Sequence, residues 1–195
     1  FMLVVSTYSF LFTKYKVFQP KLKNVRMSLM KDIVSLGFQF FVIQICLLLI
    51  FQLINIVLSR EIGPVSVTQY NVSSRYYGII NTMIAVVVAP YWSAFTEAYV
   101  KNEINWMKSI LKKLELVWGL FVVTGVLLLI GSPYFFKIWI HDSVEIPFVL
   151  SLSILVFHLI QSLSTIYIYL INGIGTIRLQ LLIYLLFSIL VLYSL

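Results

Sequence analysis

Apolar runs of roughly twenty residues or more, joined by short connections, constrain this chain more than any other feature. A run of that length is what an α-helix needs to cross about 30 Å of hydrocarbon. Five can be marked, at 36–58, 64–100, 114–136, 146–171 and 177–195, and the chain opens inside a sixth at 1–12. The runs do not alternate in polarity over about ten residues, so they predict helices rather than the strands of a membrane barrel. Composition agrees: 61% of residues are hydrophobic and 11% charged, against about a quarter charged in soluble domains. The expected fold is an all-α, polytopic transmembrane helical bundle occupying 36–195, preceded by the end of a truncated helix at 1–12 and a basic linker at 13–35. Neither end carries a polar cap, so Phe1 and Leu195 are expected not to be natural termini. No basic segment precedes the first apolar stretch, as a signal peptide would require.

A net charge of +7 would suit a polyanionic partner, but its placement gives another cause. Linker 13–35 holds six basic residues, segment 101–113 holds four, and the last connection leads into Arg178. The intervening connections hold only Arg60 and Lys137. Eleven of the 14 basic residues therefore fall on one side, which the positive-inside bias makes cytoplasmic. No nucleic acid is needed. Segment 101–113 also has Trp106, Met107, Ile110 and Leu114 on the side opposite Lys101, Lys108 and Lys112, which predicts a short helix lying on the inner leaflet.

Polar groups inside a span are costly and mark function or close packing. Along 64–100, Asn71, Arg75, Thr82, Val86, Ala89, Ser93 and Glu97 share one helical line, with Ile80, Ile84, Val87, Tyr91 and Phe95 opposite. Packing explains the small residues, but Arg75 and Glu97 need water, a partner or a ligand. They are too far apart along one helix to pair, and Pro90 is placed to kink it. Segment 146–171 puts His158 on a polar face with Ser151, Ser162 and Thr165, flanked by Gln161. Segment 36–58 aligns Gly37, Gln44 and Asn55. Three polar faces predict a shared polar interior lined by Asn71, Arg75, Thr82, Ser93, Glu97, His158, Gln161, Gln44 and Asn55. The single Cys46 reads as a packing residue. No catalytic or metal-ligating constellation appears. His141 and Asp142 are adjacent in an outer loop, but adjacency is not catalytic geometry. Gly173 and Gly175 predict a tight turn. Neither an enzyme nor a cofactor is expected.

Several stretches are familiar. Gly63-Pro64-Val-Ser-Val-Thr-Gln-Tyr-Asn-Val-Ser-Ser-Arg75-Tyr-Tyr, Ala89-Pro90-Tyr-Trp92-Ser93-Ala-Phe-Thr96-Glu97-Ala, Asn172-Gly173-Ile-Gly175 and the linker Pro20-Lys-Leu-Lys-Asn resemble segments of bacterial O-antigen and capsular polysaccharide flippases. These form the polysaccharide-transport branch of the multidrug/oligosaccharidyl-lipid/polysaccharide superfamily. The resemblance implies about half of a two-bundle transporter in the bacterial inner membrane. It would flip a lipid-linked oligosaccharide by alternating access, with other polysaccharide-assembly proteins as partners. A drug or small-solute exporter of the same architecture, or a non-transporting scaffold of the assembly complex, would fit the same helices. The charge distribution makes a direct prediction. Cysteines introduced at Lys21 and Lys108 will resist an impermeant thiol reagent in intact cells, and ready labelling of either from outside would reverse the topology.

Overall fold

The computed structural model describes residues 2–13, 27–140 and 144–193. Among these residues the chain is all-helical. The elements are α1 (Met2–Thr13), α2 (Met27–Glu61), α3 (Pro64–Val88), α4 (Tyr91–Val100), α5 (Ile104–Ile140), α6 (Phe148–Ile174) and α7 (Ile177–Tyr193). Phe1–Phe41 form one compact unit and Val42–Leu195 another.

Helices α2 (from Met30), α5 and α6 are each long and apolar enough to cross a membrane, and α3 with α4 makes a fourth candidate broken by a 43° bend. Of the five expected crossings, the last is represented by the 17-residue α7, which is apolar but shorter. The protein is thus membrane-embedded by the length and composition of its helices. The bend falls at Ala89 and Pro90, where proline cannot donate to the helical ladder.

Two further boundaries differ from expectation. Helix α2 begins inside the segment expected to be a linker, taking in 27–35 with Lys31; residues 14–26 lie outside the described ones. Segment 101–113 contains no separate interfacial helix. After a turn at Lys101–Glu103, it is the start of the continuous 37-residue α5. Its amphipathic pattern is real but has another partner. Met107 and Leu114 are buried with Phe95 and Ala98 of α4, and the Trp106 ring meets Phe95 edge-on at 6.3 Å. No glycine or proline separates Ile104 from Leu114, so nothing breaks the helix there.

The turns explain the course of the chain. Asn102 adopts φ 61°, with Glu103 N–H donating to Ala98 O at 2.8 Å and Asn102 N–H to Tyr99 O at 3.1 Å. This is a Schellman stop. Gly175, at φ 83°, ends α6 in the same way, with Thr176 N–H donating to Ile171 O at 3.2 Å. Gly173, expected to share that turn, instead lies inside α6.

The packed core joins α3, α4, α5 and α6. Tyr76 Oη donates to Leu128 O at 3.1 Å and stacks with Phe135 and Phe136, while Ile80 reaches towards Gly125. Residue numbers rise along α3 as they fall along α5, so these helices are antiparallel. Trp118 Nε1 donates to Leu159 O at 3.0 Å, and Gly125 meets Leu155, so α5 and α6 are antiparallel too. Helices α3 and α6 therefore run in the same direction. The connection at 101–103 and that at Gly175–Thr176 consequently share one end of the bundle, and it is the end richer in Lys and Arg.

Two glycines permit the closest approaches. A Cβ on Gly173 would lie 2.8 Å from Phe95 Cβ and 3.0 Å from Trp92 O, and one on Gly125 would lie 2.8 Å from Leu155 Cδ1. Gly131, also within α5, has nothing within 4 Å. Gly173→Ala should therefore destabilise the protein by about 1–3 kcal/mol through overpacking, because backbone cannot move aside as a side-chain tip can. Gly131→Ala should be neutral or slightly stabilising. Thermal unfolding of the two variants in detergent would check the contrast.

Candidate functional site

The bulky face of α3 and α4, not the polar one, is packed. Tyr77, Ile80, Ile84, Val88 and Phe95 are buried at 0–1% exposure. Arg75, Thr82, Val86, Ala89, Ser93 and Glu97 are exposed. The small and polar stripe is therefore not explained by packing against any described helix. Among the described residues Arg75 forms no ion pair. It lies eleven positions into α3, about 17 Å from the helix start.

Other expected site residues have partners. Asn71 and Asn55, on different helices, meet directly: Asn71 Nδ2 donates to Asn55 Oδ1 at 3.0 Å and to Val67 O at 2.8 Å. The Thr82 and Ser93 hydroxyls donate back to Gly78 O at 3.2 Å and Pro90 O at 3.3 Å, which leaves their lone pairs available. Glu97 accepts from Lys101 Nζ at 2.6 Å, an exposed i,i+4 pair, which answers its need for a partner locally. The hydrogen bond and charge of Glu97 raise the Lys101 ammonium above its ordinary value. Trp92, Ser93, Thr96, Glu97, Val100 and Lys101 line an open, shallow groove, with Tyr169 of α6 edge-on to Trp92 at 5.7 Å. Gln44 is exposed on α2, apart from these contacts. Its neighbour Cys46 is buried, 3.5 Å from Ser188 Oγ of α7.

His158 is buried and sits over Gly78, whose added Cβ would be 3.4 Å from the ring. Neither ring nitrogen has a hydrogen-bond partner of good geometry. The Gln161 side chain and the Ser74 backbone act on the ring. One layer along, Thr165 Oγ1 lies 3.1 Å from Asn81 Oδ1. A polar seam thus follows the α3–α6 contact through Ser74, Gly78 and Asn81 on one side and His158, Gln161 and Thr165 on the other.

Sequence reasoning passed over Asn81, although a mid-span asparagine is itself a signal. It also passed over Trp118, whose Nε1 lies 3.1 Å from Ser162 Oγ, and Tyr167, which donates to Glu115 Oε1 of α5. His141 and Asp142 lie outside the described residues.

Fold and site together define an all-helical, membrane-embedded protein with an exposed polar helix face and a half-buried polar seam. Comparison with protein-family models, with curated proteins and with solved structures found no match.

The Asn55–Asn71 contact makes a quantitative prediction. A double-mutant cycle with Asn55→Ala and Asn71→Ala should give a coupling of about 0.6 kcal/mol, typical of hydrogen bonds between membrane helices. Thermal or denaturant unfolding in detergent would measure it, and additive effects would show that the two amides do not interact.

Proposed function

We propose that this chain is part of a transporter that moves a lipid-linked oligosaccharide, of the O-antigen or capsule repeat-unit type, across the bacterial inner membrane by alternating access. The observation that carries the reading is the exposed stripe on α3 and α4, running from Arg75 past Thr82 and Ser93 to Glu97, opposite a face on which Tyr77, Ile80, Ile84, Val88 and Phe95 are buried. An unpaired arginine on such a face calls for water or an anionic ligand.

The substrate class fits those groups. A diphosphate-linked sugar offers phosphate oxygens, which a guanidinium fork holds in bidentate fashion. Its hydroxyls suit Asn71, Thr82 and Ser93, and its tail can stay in lipid beside a laterally open face. Gln161 and His158 stand in the neighbouring seam. The bilayer and the lipid-linked sugar are the partners implied, with other polysaccharide-assembly proteins. In this reading segments 13–35 and 101–113 face the cytoplasm, so Glu97 lies nearer the cytoplasm and Arg75 nearer the outer leaflet. The resemblance of the Gly63–Tyr77 and Ala89–Ala98 stretches to polysaccharide flippases supports it.

Arg75→Lys keeps the charge but loses the fork, and should lower surface polysaccharide at unchanged membrane level. Arg75→Ala should lower it roughly tenfold or more, the scale of a lost charge-assisted hydrogen bond. Polysaccharide would be measured in a strain dependent on each variant. Normal polysaccharide with normally expressed Arg75→Ala would refute the proposal.

A further inference from the structure

We infer that His158 is a reversible proton-binding site that ties α6 to α3, and, building on the transport reading above, that its proton couples to the transport cycle. The imidazole lies mid-helix, ten residues into α6 from Phe148, about 15 Å from that helix end. Only 9% of the residue is exposed, and both ring nitrogens lack a well-formed partner. An orphaned polar side chain at that depth is costly. An apolar residue of similar size would pack there without that cost.

The surroundings offer the ring two acceptors, one on each helix. The Ser74 carbonyl belongs to α3 and the Gln161 side chain to α6, and both act on the ring. A doubly protonated imidazole has two N–H donors. It can donate to the Ser74 carbonyl and to Gln161 Oε1 at once, bridging the two helices. The singly protonated ring must give up one of those donations. Gly78 of α3 lies beneath the ring, where a Cβ would stand 3.4 Å from the imidazole. The proton is taken from water and returned to it, with no other bond made or broken.

No charged group competes for this role in the packed helices. Helix α6 contains no Asp, Glu, Lys or Arg, and α5 has none between Glu115 and Lys137. Glu115 is engaged by Tyr167 of α6. On α3, Arg75 is exposed, Tyr76 donates to Leu128 O, and Tyr77 belongs to the apolar cluster with Leu129, Phe136 and Leu155. On α4, Glu97 is held by Lys101.

The chain has two histidines, so His141→Asn leaves His158 as its sole imidazole. In the purified protein in lipid nanodiscs, ¹⁵N-histidine spectra should show that ring passing reversibly between its protonation states across pH 5–9. Gln161→Leu should shift the midpoint by at least half a pH unit. A ring fixed in one state throughout, or a midpoint indifferent to Gln161→Leu, would overturn the site. If His141→Asn fails to fold, the same resonance can be assigned by difference against His158→Asn. Coupling has its own readout. Translocation of a lipid-linked oligosaccharide by proteoliposomes of the whole transporter should depend on pH in the wild type and become flat in His158→Gln at equal protein level. An unchanged pH profile in His158→Gln would overturn coupling. Titration of His158 without any translocation would refute the transport reading and leave the proton site standing.

Discussion

The close approach of α6 to α3 and α4 is the contact on which the rest of the bundle depends. Lipid gives helices no hydrophobic drive to associate, because the surrounding chains are as apolar as the side chains. Association must come from fitted surfaces and from polar groups that have no better partner. Helix α6 supplies both. Its Gly173 lets the α4 backbone come within van der Waals reach, and its Leu155 fills the space left by Gly125 of α5. Its Ser162 shares the Trp118 N–H with the Leu159 carbonyl, and its Thr165 meets Asn81 of α3. Remove α6 and α3, α4 and α5 keep only the lighter contacts of α5 with the other two.

The bend at Ala89 and Pro90 follows from the same contact. A straight helix through 64–100 would carry α4 on along the line of α3. Breaking the ladder at Pro90 redirects α4, and the Phe95 side of α4 packs where Gly173 has no side chain. The first turns of α5 then cover α4 with Met107 and Leu114. The apolar side of 104–114 that the sequence offers to a membrane surface packs on α4.

The helical class and the two-sidedness of α3 were legible in the sequence because both are local properties, set by run length and by 3.6-residue periodicity. Which side of α3 would pack was harder, since in a membrane either a polar or an apolar face can point inward. Here α5 and α6 offer apolar surfaces to Ile80 and Ile84, and that decides it. The Glu97–Lys101 pair was within local reach, as acid and base four apart with the acid first is the favourable order. The Asn81–Thr165 and Trp118–Ser162 contacts were not. They depend on the register of one helix against another 44 to 84 positions away in the chain, and no local pattern encodes that register.

The geometry of α3 links its two polar features. At about 100° per residue, Gly78, Ser74 and Asn81 fall about 60°, 100° and 120° from the Arg75 line, all on the same side. The packed face of Tyr77, Ile80 and Ile84 lies beyond them. The polar seam with α6 therefore borders the exposed stripe directly, with no apolar strip between. Water or a polar ligand that reaches Arg75 stands at the edge of the contact that buries His158.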